Sequence, residues 1–306
     1  MDRLDAMRIF VTVARLESFV EAARQLRLSP SVVTRAIAQL EDRLGLVLLN
    51  RTTRSVRLTE QGEIYRESCR QILDDVEDAE RRVRGEAAAP RGELTISAPI
   101  VFGRLHVLPI ITRLLREERA LAVRLSLSDR NVHLVEEGVD VAVRIGEPAD
   151  SALVGVRLGE VSRIVVAAPA YLRTRGVPDR PTALAGHDII RFDGAAATNE
   201  WRFSDGYSAR VEPRLTVSSA DAAILAAEAG LGITQTLSYQ ARASVTAGRL
   251  VPILQGFALP PVAVNALYPA KRIASANVAA FVKAARDHFR ADPLLPVEAW
   301  VISASA

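Results

Sequence analysis

The sequence predicts an all-α N-terminal head carrying a helix-turn-helix and a short wing, then a long linker helix, then an α/β body of two units. Three observations predict it. Residues 18–45, "SFVEAARQLRLSPSVVTRAIAQLEDRLG", read as two short helices around a tight corner. Residues 59–84 carry apolar positions at alternating spacings of four and three. From residue 93 onward, strand-like and helix-like segments alternate.

At 306 residues the chain is too long for one ordinary core and implies two or three domains. With 49% apolar and 25% charged residues it has a globular composition. No apolar run reaches the ~18 residues of a membrane span, and "MDRLDAMRIF" has no signal-peptide pattern. The single cysteine, Cys69, excludes an intrachain disulfide, and the four histidines are scattered, so a cytoplasmic protein without a metal centre is expected. Residues 1–58 hold ten arginines against six acids, whereas the remainder holds 29 basic against 30 acidic residues. The net charge of +3 therefore sits at the front, as nucleic-acid binding requires. Only Lys271 and Lys283 are lysines, a compositional bias that weakens any single arginine as a signal.

In the head, Met7, Phe10, Val11 and Ala14 recur at helical spacing. Ser18 caps a second helix with Phe19, Ala22, Ala23 and Leu26 on its buried stripe. Arg27 and Leu28 turn the corner. Ser29 caps the third helix, Pro30 fits its first position, and Gly45 ends it. Val33, Ile37, Leu40 and Leu44 face inward, leaving Ser31, Thr34, Arg35 and Ala38 outward. Small residues let a backbone approach base edges, Arg can grip guanine at two points, and an α-helix fits the major groove. The next stretch, "LVLLNRTTRSVRLTEQG", reads as two short strands around a turn in which Arg51, Thr52, Thr53 and Arg54 are placed for phosphates or a minor groove.

These residues, "F…A…SFVEAARQLRLSPSVVTRAIAQLEDRLG" followed by "L…NRTTRSVRLTEQG", closely resemble the winged helix-turn-helix of LysR-type transcriptional regulators. The resemblance implies that Ser31, Thr34 and Arg35 face bases, and that Arg51 and Arg54 face the DNA backbone, with Ser29 and Thr52 beside them. Two departures stand out. Pro30 replaces a frequent glutamine, removing one DNA contact, and Leu49 replaces a frequent phenylalanine, a packing change.

Tyr65, Cys69, Ile72, Val76, Ala79 and Val83 form a heptad seam on an otherwise charged helix nearly 40 Å long. Such a narrow seam needs a partner, either this chain's own body or a second copy. The family resemblance implies the second copy, hence a homodimer or a homotetramer. "GEAAAPRGE" then reads as a linker.

The body alternates strands and helices, which predicts parallel-type sheets with helices on both faces and a cleft between the two units. "GVDVAVRIGEPADSALVGVRLGE" and "AAPAYLRTRG" resemble the effector domain of the same family, so the likeness covers essentially the whole chain. "REERALAV" departs from it, where a Tyr-Pro is common. The fold implied is an α/β periplasmic-binding-protein-like effector domain of two Rossmann-like subdomains. The expected boundaries are 1–58 for the head, 59–85 for the linker helix, 86–92 for the hinge and 93–306 for the effector domain. Subdomain I takes 93–160 and 267–306, and subdomain II takes 161–266.

Two strand-to-helix turns, "SAPIVFG" and "SSADAA", offer free N–H groups at helix starts, where an anion or polar head group binds well. Ser97, Pro99, Ile100, Ser218 and Ser219 are the candidate effector contacts, and the resemblance places both turns in the cleft. Arg144 suits a carboxylate. Phe102 and Phe203 suit an apolar wall, or the core. Plain helix capping accounts equally well for each serine, as an internal salt bridge does for Arg144. There is no Gly-rich phosphate loop, G-x-S-x-G, paired His or metal spacing, which argues against an enzyme. A solute-binding protein would leave the head and seam unexplained. The expected partners are double-stranded promoter DNA, a polar or anionic small molecule, further copies of the chain and RNA polymerase, with no cofactor and no membrane.

Overall fold

The computed structural model describes residues 2–51, 56–83, 89–130, 134, 137–146, 153–193, 198–273 and 275–294. The head opens with α1 (Arg3–Leu16), α2 (Phe19–Leu26) and α3 (Pro30–Leu44), followed by β1 (Leu49–Arg51) and β2 (Val56–Leu58). The helix starts follow the capping chemistry. Ser18 Oγ accepts from Glu21 N, and Ser29 Oγ from Val32 N. Gly45 adopts φ +67°, the left-handed conformation that ends α3. Phe10, Val13, Ala22, Val33, Ile37 and Leu48 are fully buried at the centre. Glu41 ties α3 to the wing, its Oε1 accepting from Leu48 N and Leu49 N at 2.9 and 3.1 Å.

The linker helix α4 (Glu60–Val83) starts where Thr59 Oγ1 accepts from Gly62 N at 2.9 Å. Gly62 sits so close to the wing that an added Cβ would meet the carbonyl oxygen of Leu48. Gly62→Ala is therefore expected to destabilise the head by about 1–3 kcal/mol, which urea unfolding of the intact chain would measure.

The seam on α4 divides between two environments, which corrects the expected dimer contacts. Cys69 is 0% exposed and packs with Leu73 inside the head's core, where the Tyr65 ring lies tilted 5.5 Å from that of Phe10. These residues bind the helix to its own head. Further along the helix the seam is less covered, with Val76 half-buried, Ala79 exposed, Ile72 41% and Val83 90% exposed. Positions 65 and 83 are about five full turns apart and share an azimuth, so Val83 is left uncovered because the head's core reaches no further along α4 than Leu73.

The first unit of the body begins with β3 (Gly92–Ala98). A continuous helical run follows as α5 (Ile100–Phe102), a π-turn (Gly103–Val107) and α6 (Leu108–Glu117). Then come β4 (Leu121–Leu127), β5 (Val141–Ile145) and β6 (Leu153–Val161). The second unit contains β7 (Arg163–Ala167), α7 (Pro169–Arg175), β8 (Ile189–Phe192), the hairpin β9 (Glu200–Arg202) and β10 (Ser208–Arg210), β11 (Pro213–Val217), α8 (Ala220–Glu228), β12 (Ile233–Leu237), α9 (Ser238–Thr246) and β13 (Val251–Ile253). The chain returns through β14 (Val262–Pro269) and α10 (Ala276–Ala291). Residues 131–133 and 135–136 of the short helix expected within 131–138, and residues 86–88 of the expected hinge, lie outside the described residues.

The sheets run β4-β3-β5-β14-β6 and β11-β8-β12-β7-β13. Both are mixed, which corrects the expectation of parallel sheets. In the first, β14 is antiparallel to both its neighbours; in the second, β7 is. These are the strands that arrive from the other unit, and each enters its sheet from the crossing side. All of β14 pairs in the first sheet, so the return crossing precedes Val262, earlier than the expected 267. At the outward crossing, Ser162 N donates to Ser238 Oγ at 3.1 Å and Ser238 N donates to Ser162 O at 2.7 Å.

A further face of α4 docks on the first unit. Arg70 Nη2 donates to Asp140 Oδ2 at 2.9 Å, and Asp75 Oδ1 accepts from Arg272 Nη1 at 3.0 Å. Arg70 also reaches Asp74 at 3.1 Å, a contact that by itself lowers a carboxyl pKa. Burial outweighs it. With the Asp140 and Glu77 charges adding, Asp74 is pushed up to about 7. The unfolded chain ionises this group near pH ~4. Its contribution to stability is thus present at low pH and lost as pH rises towards 7. Asp74→Asn is expected to raise Tm more above about pH 7 than near about pH 5, checked by thermal melting at both.

Candidate DNA interface and effector cleft

On α3 the capping geometry that buries Val33, Ile37 and Leu40 turns Ser31, Thr34, Arg35 and Ala38 to solvent as one row. Ser29 Oγ lies 3.0 Å from Ser31 Oγ, and Thr34 Oγ1 donates to Pro30 O at 2.9 Å. Each hydroxyl oxygen still has capacity to accept a hydrogen bond. Arg51 ends β1; Thr52, Thr53 and Arg54 lie outside the described residues. Arg57, exposed on β2 opposite Asn50, adds a positive charge to the outward side of the wing. Sequence reasoning passed over it, although its place between the inward Val56 and Leu58 marks it as outward.

In the body, the two expected turns meet. Arg104 of the π-turn reaches both carboxylate oxygens of Asp221, in the first turn of α8, at 3.1 Å. This ion pair, made through Nη2 alone, bridges the units beside Ile100 and Ser219. The candidate residues hold different positions around it. Ser97 is 0% exposed, and its Oγ accepts from Arg144 Nη2 at 2.9 Å, so it aims the guanidinium instead of facing the cleft. Arg144 Nη1 donates to Val143 O at 2.9 Å. Burial pulls the pKa of this half-buried cation down, opposed by Glu137 and Asp129. Its hydrogen bonds to Ser97 and Val143 are to neutral oxygens, and the Glu137 and Asp129 charges offset part of the desolvation.

Ile100 N is engaged by Asp129 Oδ1 at 3.1 Å, so the start of that helical run already meets a carboxylate. Pro99 is half-buried, Ile100 and Ser218 are exposed, and Ser219 caps α8 through Ala222 N at 3.5 Å. Phe102 is no cleft residue. It is fully buried, 5.1 Å from Tyr239 of α9 and 5.9 Å from Phe289 of α10. Phe203 likewise belongs to the core of the second unit. Among the described residues, no cluster of metal-ligating side chains occurs and no helix is long and apolar enough to cross a membrane.

Residues 4–63 match the family described as "Bacterial regulatory helix-turn-helix protein, lysR family", and residues 87–290 match "LysR substrate binding domain". The chain belongs to the LysR family of transcriptional regulators. It is a DNA-binding regulator with an effector-binding domain. It is 31% identical to the HTH-type transcriptional activator AaeR of Escherichia coli K12 over 293 residues, 94% of each chain. It is also 31% identical to an HTH-type transcriptional repressor of Pseudomonas aeruginosa over 298 residues, 96% of this chain and 94% of that one. Among solved structures, the LysR-type regulator CrgA of Neisseria meningitidis matches with a TM-score of 0.60 at 28% identity, over 92% of this chain and 98% of CrgA.

Proposed function

We propose that this LysR-family regulator binds an interrupted inverted repeat as a dimer, or a dimer of dimers, in the cytoplasm, and performs no catalysis. Ser31, Thr34 and Arg35 address base edges, while Arg51, Arg54 and Arg57 hold the phosphate backbone, with Ser29 and Thr52 at its margin. The single observation that carries this is the outward row on α3, presented beside a basic wing. The stripe of Ile72, Ala79 and Val83, exposed, with the half-buried Val76 between them, pairs two linker helices, so that two heads read two half-sites. In the cleft, Arg144, oriented by Ser97, receives the carboxylate or other anionic group of a small effector, with Pro99, Ile100, Ser218 and Ser219 around it. Contact with RNA polymerase follows if the bound promoter is activated.

The test is a titration of the intact protein against the duplex upstream of its own gene and a scrambled duplex, at several salt concentrations. A preference for the native duplex, with affinity falling steeply as salt rises, supports the reading. Absence of binding to either duplex at low salt overturns the assignment of α3.

A further inference from the structure

Two rungs join β3 to β5. At the cleft end, Ser97 Oγ accepts from Arg144. At the opposite end, Asp140, the residue just before β5, is doubly tied to Thr95 of β3. Asp140 N donates to Thr95 O, and Thr95 N donates to Asp140 Oδ2, both at 2.9 Å. The strands between are parallel neighbours in register, Ile96 with Val141 and Ser97 with Ala142. Arg144 stands four residues from Asp140, about 13 Å along an extended strand.

The Asp140 rung is also where the linker helix is held. Asp140 is 3% exposed, and its carboxylate meets Arg70 of α4 at 2.9 Å and Arg272 at 3.2 Å. Arg70 is anchored on β3 as well, donating to Glu93 O at 2.7 Å. Arg272, also 3% exposed, completes the circuit back to α4 through Asp75. One α4 side chain is thus fixed to the starts of both strands whose far ends carry the cleft cation. Gly138, at φ +65°, adds a close approach, because a Cβ there would meet the side chain of Glu67 of α4.

We propose that Asp140, gripped by Arg70 and Arg272, is the joint through which a change at the Ser97–Arg144 pair alters the seating of the linker helix and so the set of the DNA-binding heads. The inference rests on the reading of the cleft as the effector site. A ligand that draws Arg144 away from Ser97 shears β5 against β3. The Asp140 end cannot follow without loosening Arg70, since a buried carboxylate must keep its cations. Loosening has somewhere to go. Beside the cluster lies a polar cavity of about 290 Å³, lined by Arg70, Asp74, Glu77, Arg91, Asp140 and Arg272, in which the charges can pair anew. A joint with two sets of pairings responds as a switch instead of a spring, which is what coupling between distant sites needs.

The test is amide hydrogen exchange of the intact protein, with Arg144→Met standing in for an occupied cleft. The expected result is a rise of about fivefold or more in exchange over residues 67–77, with the second-unit strand β12 and the head helix α2 unchanged. In an Asp140→Asn background the same Arg144→Met substitution should no longer move α4 exchange. Unchanged α4 exchange on Arg144→Met overturns the proposal, as does a rise that persists undiminished beside Asp140→Asn, or one shared equally by β12. Should Asp140→Asn not fold, Arg70→Gln breaks the same contact from the linker side and must abolish the effect likewise. No DNA or ligand enters these measurements, so their failure is separate from failure of the operator titration.

Discussion

Phe102→Ala is expected to destabilise the effector domain by about 3–5 kcal/mol, among the largest losses a single truncation produces. The ring is fully buried and packs edge-on to Tyr239 at 5.1 Å, against Phe289 at 5.9 Å and against His106 at 4.8 Å. Tyr239 belongs to α9 of the second unit and Phe289 to α10 of the first, so the cavity would open where the two units join. Their ends are tied by Arg104–Asp221 and by Ser162–Ser238, which leaves little room for collapse. Thermal melting should show Tm falling by about 2–4 °C for each kcal/mol lost. Phe102→Leu should recover much of the loss. If Phe102→Ala instead left Tm in place and changed only the response to ligands, the residue would be a cleft wall after all.

Arg35→Ala is expected to weaken operator binding by about 30-fold or more. A bidentate contact to guanine is worth about 1–3 kcal/mol, and the proposed dimer presents two such heads. The observation behind the figure is an exposed guanidinium on the outward row of α3, beside Ser31 and Thr34. Because Arg35 is assigned to a base, the loss should fall on the native duplex and spare the scrambled one. A uniform loss on both duplexes, with a shallower salt dependence, would move Arg35 to the phosphate backbone.

The head was legible because its signals are local. Ser18, Ser29, Pro30 and Gly45 cap helices whose apolar residues follow at fixed offsets, and each cap takes up the role its chemistry predicts. On α4 the length was legible and the faces were not. One helix serves two partners, so Cys69 fits both a seam with Ile72 and a stripe with Leu73, and only the packed head decides between them. In the body the alternation of strand and helix was legible. The direction of β7 and β14 was not, since it depends on the chain crossing twice between units. The hairpin of β9 and β10 escaped notice because Trp201 and Ala209 are the only buried residues on its two three-residue strands. Of the candidate cleft residues, Arg144 and Ser97 are brought together by a hydrogen bond that their spacing in the sequence does not announce. Asp140 gave no sign, because its partner Arg70 lies 70 residues away and nothing periodic links them.

The burial of Cys69 makes the head its own reporter. It is the chain's single cysteine, wholly enclosed, and burial pushes its thiol up to about 11, so almost none is thiolate at neutral pH. A thiol reagent added to the native protein can react only when α4 lifts from the head. The rate of modification therefore reports opening of the head around Cys69, and a promoter duplex that clamps the head should slow it without any label being introduced.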